Sequence, residues 1–345
     1  MRADELGRVH FVGIGGAGMS GIARILLARG VQVSGSDAKD SVTLAVLRAL
    51  GAEVHVGHDP SHVFAADTLV VSSAIRPDNP EIAEARRRGL AVLPRAVALA
   101  AVMAGQRGVA VAGTHGKTTT TSMLTVALQA CGQDPSYAIG GDLNEVGSNA
   151  HHGSGDIFVA EADESDRSFL ELAPFAAIVT NVEADHLDQY GTLDAVQAAF
   201  AAFVERVEPA GFVVLSADDP GSRPLVQTAA ARGLRTVTVG TAPDADVVAH
   251  DVRQVATTTT FALTAGGRPL GPVHLAVPGR HYAADAAAAL AAGLELGLSF
   301  EGMVTGLAGF RGARRRLEPK GSAGGVRVYD SYAHHPTEVR ADLEA

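Results

Sequence analysis

Cysteine, basic charge and long apolar runs are all scarce in this sequence, and each scarcity removes a class of answer. The single cysteine, Cys131, allows no disulfide framework within the chain and points to a reducing compartment. No apolar run approaches the ~18–20 residues of a membrane span. The opening residues, MRADE, put acids where a secretory signal wants a basic n-region, so a cytoplasmic protein is expected. Lys and Arg number 28 against 38 Asp and Glu, a formal charge of −10. That balance argues against a nucleic-acid or anionic-membrane partner. Charged residues are 19% and hydrophobic ones 47% of the chain, which argues against disorder. With 345 residues there is room for two or three domains of roughly 100–200 residues each.

The most informative stretch is Gly113-Thr114-His115-Gly116-Lys117-Thr118-Thr119. It follows the strand-like run Val109–Ala112 and opens a helical pattern through Met123, Leu124 and Leu128. A strand, a glycine turn and a helix N-terminus make a phosphate site, with Lys117 reaching the outer phosphates and Thr118 offering its hydroxyl to Mg²⁺. The usual G-x-x-x-x-G-K-[ST] spacing would need glycine at position 111, where Val111 stands, so the loop is a shortened variant. Upstream, Gly13-Ile14-Gly15-Gly16-Ala17-Gly18 follows the strand-like Val9–Val12 and matches G-x-G-x-x-G. A second strand ends near Asp37, roughly 20 residues past the glycines, as a Rossmann fingerprint requires. NAD, FAD and a UDP-sugar all present the same pyrophosphate to such a loop.

Strands near 9–13, 31–35, 53–56, 68–72 and 91–93 alternate with helices near 17–29, 42–50, 79–88 and 94–103, which predicts an α/β fold with a parallel, doubly wound sheet. A hinge near 104–108 leads to a second unit with strands near 109–112, 156–160, 177–181, 211–215 and 236–239. Residues 247–277 alternate like a small antiparallel or mixed sheet appended to it, and Ala283–Leu296 reads as an alanine-rich helix. Pro319–Gly325 reads as a linker. Three units are expected: 1–105, 106–322, and 323–345 as the start of a third domain whose 329–335 strand is frayed.

Four carboxylates, Glu161, Asp163, Glu164 and Asp166, crowd the end of one strand pattern, and Glu183, Asp185, His186 and Asp188 follow another. Parallel sheets place ligands at the carboxyl ends of their strands. Both segments are therefore expected at the Gly-Lys-Thr loop, with Glu161 and His186 holding Mg²⁺. The bland alternative is a solvated acidic loop with His186 on the surface.

Taken together, GIGGAGMSGIA, GTHGKTTTT, EADESD, TNVEADHLDQY, PGRH, FRGARRRLE and DSYAHHPTEV resemble the Mur ligases over essentially the whole chain. The resemblance implies three domains: a Rossmann-like one for a UDP-sugar, a central ATPase, and a Rossmann-like one for the incoming amino acid. It implies phosphorylation of the lactyl carboxylate of UDP-N-acetylmuramic acid by ATP, followed by amine attack on the acyl phosphate. Within the family the GIGGAGMSGIA loop favours the branch that adds L-alanine over one that recycles a peptide. By the same resemblance, Gly15, Gly16, Ala17, Gly18, Met19 and Ser20 hold the UDP-sugar diphosphate, with Asp37, Ser72 and Ser73 at its rim. Gly113 to Thr119 bind the ATP phosphates, and Lys117, Glu161 and His186 are catalytic. Thr118, Glu161 and His186 hold the magnesium, and Asp163-Glu164-Ser165 line the reacting centre. Arg315 and Arg316 lie at the nucleotide site. Asp330 closes over ATP, and Tyr332 and His334 receive the amino acid with His335 beside them.

Two positions depart from the family pattern. Tyr282 and Asp285 stand where asparagines usually touch the nucleotide, and Asp285 cannot donate as an amide would. Ser331 replaces the second of a paired aspartate. A competing reading, an NAD-dependent dehydrogenase built on Gly13–Gly18, leaves the Gly-Lys-Thr loop without work. A silent nucleotide-binding regulator is opposed by the presence of Lys117, Thr118, Glu161 and His186. The segment 1–345 by itself is expected to bind the UDP-sugar with little turnover.

Overall fold

All four residues of Val9–Val12 are buried, the continuous burial that a strand in the middle of a parallel sheet requires. The computed structural model describes residues 1–140 and 148–345. Its first sheet contains β1 (Val9–Val12), β2 (Val33–Asp37), β3 (Glu53–Val56), β4 (Thr68–Val71) and β5 (Ala91–Pro94). They run parallel in the order β3-β2-β1-β4-β5. The chain leaves β1 towards β2 and returns on its other side to β4, so the strand order reverses at β1. That is the crevice where such sheets bind ligands, and Gly13–Gly18 follow β1 directly.

The second sheet contains β6 (Arg107–Ala112), β7 (Ser136–Ala138), β8 (Ala150–His151), β9 (Ile157–Glu161), β10 (Ala176–Val179), β11 (Phe212–Ser216) and β12 (Arg235–Gly240). It continues through β13 (Val247–Val255), β14 (Thr258–Ala265) and β15 (Arg268–Leu275). β6 lies between β10 and β9, parallel to both, and delivers the second glycine loop to another reversal of strand order. The expected appended sheet is there: β13–β15 are antiparallel among themselves, and β13 joins β12 through Val239↔Val247 and Gly240↔Val248. The alanine-rich helix Arg280–Glu295 packs on this sheet and on the helix Lys117–Ala130. Its run Ala286–Ala292 is wholly buried, because small side chains let the helices approach closely.

Two expectations need correction. Pro319–Gly325 is no linker: β16 (Glu318–Ala323) and β17 (Val326–Asp330) form an antiparallel hairpin. Gly324 and Gly325 both take positive φ, 59° and 80°, as a tight hairpin turn demands. The expected 329–335 strand ends at Asp330, and a helix follows from Pro336. His335 caps the helix Pro336–Glu344, its ring accepting from Thr337 N at 3.3 Å. The short strands β7 and β8 carry too few residues to show a period, and no strand is expected there from sequence.

Beneath the first sheet, Glu81 is fully buried. It accepts hydrogen bonds from the Ser36 hydroxyl at 2.5 Å and from His62 Nδ1 at 2.7 Å, with His58 Nδ1 at 3.2 Å and His10 Nε2 at ion-pair distance, 3.8 Å. Burial alone would push the Glu81 carboxyl up; these partners outweigh it and hold it down to about 2. Replacing Glu81 with Ala should destabilise the protein by about 3–5 kcal/mol, the cost of breaking a buried charge cluster. The folded value lies below the unfolded one. Denaturant unfolding should therefore show the full deficit above pH ~4.5 and a shrinking one as pH falls towards 2. A deficit that grows on acidification would reject this assignment.

Candidate active site

The glycine loop at 113–116 can receive an anion because, among the described residues, no side chain caps the helix it opens. Gly116 precedes the helix Lys117–Ala130 at φ 79°, and among the described residues no side chain accepts from the helix's first N–H groups. Those orphan donors and the helix dipole face the loop. Thr118, Thr119, Thr120 and Thr121 are all buried, a β-branched run that helix propensity alone would not favour. Further along, hydroxyls are satisfied by the preceding turn: Thr121 donates to Lys117 O at 2.7 Å and Ser122 to Thr118 O at 2.7 Å. A Cβ on Gly113 would collide with Thr180, and one on Gly116 with Asp285.

Lys117 folds back over the loop. Its ammonium donates to Gly113 O at 2.7 Å, Thr114 O at 3.0 Å and Glu164 Oε1 at 2.9 Å. Glu164 is 2% exposed, and its Oε2 finds no partner among the described residues. Burial pushes its carboxyl up, with Lys117 opposing. Thr118 donates to Glu161 Oε1 at 3.1 Å, while Gly140 N donates to Glu161 Oε2 at 2.7 Å. Arg316 reaches the same Thr118 hydroxyl at 3.3 Å.

The first glycine loop stands across the same carboxylates. Gly15 N donates to Asp37 Oδ2 at 2.9 Å, and the helix Ala17–Ala28 likewise starts without a side-chain cap. Arg95, at the start of a helix following β5, donates to Asp163 Oδ2 at 3.3 Å and lies against Gly18. A small cavity of about 60 Å³ is lined by Gly18, Arg95, Asn149, Glu161 and Asp163, so the first loop opens onto the carboxylates of the second. The larger cavity, about 390 Å³, runs from His115, Gly116, Thr118 and Thr119 past Asn181 and Asp218 to Tyr282, Asp285 and Arg316.

Two glycine loops thus flank one group of carboxylates. The profile of the Mur ligase family catalytic domain matches residues 8–107, and that of the Mur ligase middle domain matches residues 111–293. The chain belongs to the Mur ligase family. It is 61% identical to the UDP-N-acetylmuramate–L-alanine ligase of Nocardioides sp., covering 99% of this chain and 72% of that protein. Among solved structures it resembles the UDP-N-acetylmuramate-alanine ligase of Thermotoga maritima, with a TM-score of 0.83 at 30% identity over 98% of this chain and 76% of that one. It also resembles the UDP-N-acetylmuramate:L-alanyl-gamma-D-glutamyl-meso-diaminopimelate ligase of Neisseria meningitides, with a TM-score of 0.80 at 28% identity over 90% of this chain and all of that one.

Within this Mur ligase the expected residues fall into place unevenly. Gly15 to Ser20 form the loop and first helical turn beside Asp37, and Ser72 lies opposite Gly13, with Ser73 exposed next to it. Thr118 and Glu161 are in contact. His186 is not seen against Glu161: its Nε2 stands 3.8 Å from Glu164 Oε1 and 3.7 Å from Asp185 Oδ2. Of the two arginines it is Arg316, not Arg315, that lines the large cavity. Arg315 instead pairs with Asp330 at 3.9 Å and covers the Tyr332 ring at 4.6 Å. Asp330 is thereby held outside the cavity lining. Tyr332 is half exposed and packs on His334, ring to ring, at 5.3 Å. Ser331 does line the cavity, as do Tyr282, which donates to Arg316 O at 2.9 Å, and Asp285. Arg95 was missed from the sequence, although its place after a parallel strand was a usable signal.

Proposed function

We propose that this chain is an ATP-dependent ligase that joins L-alanine to the lactyl carboxylate of UDP-N-acetylmuramic acid in the cytoplasm, a step of peptidoglycan precursor synthesis. The observation that carries this reading is three contacts made by one acidic segment, Arg95–Asp163, Lys117–Glu164 and Thr118–Glu161, which lie between two separate glycine loops, with Arg95 against Gly18. A dehydrogenase needs one such loop; a ligase that phosphorylates a nucleotide-linked substrate needs two, facing each other.

In this reading the loop at 13–20 grips the UDP-sugar diphosphate and Arg95 guides the lactyl carboxylate towards Asp163. ATP enters the large cavity with its phosphates on the uncapped helix. A carboxylate oxygen attacks the γ-phosphorus, ADP leaves, the alanine amine attacks the acyl carbon and phosphate departs. Lys117 stabilises the charge that develops on the transferred group. Thr118 and Glu161 offer the hard oxygens that suit Mg²⁺, with His186 at the edge of the site. When bound, the ion supplies charge neutralisation between the phosphates and the carboxylate. Tyr332 and His334 belong to the amino-acid side.

UDP-N-acetylmuramic acid at 100 times its dissociation constant should stabilise the folded chain by about 2.7 kcal/mol, read as a rise in Tm. NADH should give no shift, and phosphate release should follow L-alanine. A shift with NADH and none with the UDP-sugar would overturn the reading, while release with a peptide in place of alanine would move it to the peptide-adding branch.

A further inference from the structure

Among the described residues, one group of three side chains can close on a cation: His115, Glu183 and His335, whose ligand atoms all lie within 4.8 Å of one another. They come from three elements, namely the phosphate loop, the segment after β10, and the cap of the helix Pro336–Glu344. His115 Nε2 stands 3.6 Å from Glu183 Oε2, and His335 Nδ1 stands 3.7 Å from the same oxygen. The Thr337 hydroxyl also donates to that oxygen, at 2.7 Å. The two rings are tilted at 38° with centroids 4.5 Å apart, so they converge rather than stack.

The contacts of the two rings leave nitrogen atoms open to an ion. His335 Nδ1 accepts from Thr337 N, so that nitrogen carries a lone pair. His115 Nδ1 lies 3.2 Å from Glu338 Oε1, where its N–H is the natural donor. In the neutral ring this leaves His115 Nε2 with its lone pair, and that atom is buried with no hydrogen-bond partner among the described residues. Both imidazole nitrogens thus lie within 3.7 Å of one carboxylate oxygen, and an ion ligated by His335 Nδ1 takes the place of its long contact with Thr337 N. Two ligands held at ~2.0–2.1 Å in a tetrahedral arrangement lie about 3.3 Å apart, a few tenths of an ångström inside the spacing found. Two imidazoles with one carboxylate is the donor set of zinc-class ions, whereas Mg²⁺ prefers six oxygens. Glu338 completes the arrangement as the carboxylate that orients a ligating histidine.

We propose that His115, Glu183 and His335, with Glu338 behind His115, form a site for a zinc-class divalent ion that ties the 331–344 segment to the wall of the nucleotide cavity. It is separate from the Thr118–Glu161 position: two of its ligands, His115 and Glu183, line the cavity, as do Glu338, Ser331 and Ala333 of the 331–344 segment. Occupancy would hold that wall in place.

The chain, freed of metal with a chelator and kept in excess Mg²⁺ at neutral pH without nucleotide, is titrated with Zn²⁺ by calorimetry. Co²⁺ is followed in parallel by visible absorption. One equivalent should bind, Co²⁺ should give the intense bands of a four-coordinate site, and H335A and E183Q should each weaken binding at least ~10-fold. E338Q should cost ~10–100-fold through the orienting contact. His335 is partly buried and caps the helix Pro336–Glu344, and retained cooperative thermal unfolding of H335A will show that the variant is folded. Zn²⁺ binding indifferent to both H335A and E183Q would overturn the proposal. So would no binding below ~1 mM, which would make His115 an imidazolium held between Glu183 and Glu338.

Discussion

Lys117→Ala should lower turnover on the order of 10²–10³-fold and should also weaken the fold, in a way that depends on pH. The ammonium serves two carbonyls of its own loop and the carboxylate of Glu164, whose side chain is 3% exposed. Removing one partner of a buried pair costs about 3–5 kcal/mol, because the remaining charge has no compensation. Burial already pushes the Glu164 carboxyl up, and Lys117 is the group that opposes it. Without Lys117 the folded value rises further above the unfolded one. The folded variant then holds a proton that the unfolded chain gives up, and stability falls as pH rises. Unfolding by urea should therefore show a larger deficit at pH 8 than at pH 5. The double variant Lys117→Ala/Glu164→Gln, with no charge left to strand, should recover much of the stability while phosphate release stays low. Turnover within tenfold of the parent would take Lys117 out of the transfer step; a stability deficit unchanged by Glu164→Gln would break the pairing argument.

The parts of this site that were legible in the sequence are those where the backbone does the work. Gly13–Gly18 and Gly113–Thr119 are contiguous, their glycines are forced by turns and close approach, and each follows a buried strand whose residues announce it. The carboxylates were legible as a group, since Glu161 and Glu164 follow β9 and His186 follows β10. Which one faces which was not legible: His186 lies on Glu164 because of a left-handed turn at His186 itself, φ 51°, and no period in the sequence encodes that. Arg95 is remote in sequence from everything it touches, and only the closing of the first unit on the second brings it to Asp163. The hairpin at 318–330 was misread because Gly-Gly serves linkers and tight turns alike, and its exposed strands show no buried face. His115 was assigned to phosphate from its loop, while its neighbours Glu183, His335 and Glu338 come from segments far apart in the chain.

Asp285→Asn should make the protein more stable in mild alkali and leave it unchanged in mild acid. Asp285 sits on the alanine-rich helix beside Gly116, 8% exposed, in the wall of the large cavity where ATP is proposed to enter. Burial pushes its carboxyl up to about 7, although Arg316 and His115 nearby favour the charged form. Here the folded value is above the unfolded one, so the native state holds the proton more tightly. Stability is full below pH ~4, falls as pH rises towards about 7, and is flat beyond. A shift of about three units corresponds to at most about 4 kcal/mol. Asparagine keeps the size of aspartate and never ionises, so this slope disappears. The variant should exceed the parent in urea unfolding at pH 8.5 by up to ~4 kcal/mol, and the two should coincide near pH 4. The same charge bears on the nucleotide: a triphosphate entering this cavity repels an ionised Asp285, so binding at pH 8 must take up a proton or tolerate the repulsion. Asp285→Asn should accordingly bind ATP more tightly at pH 8, with the advantage lost at pH 5.5. A gap between variant and parent that does not change with pH would show that Asp285 is ionised throughout, held by Arg316 and His115 against its burial.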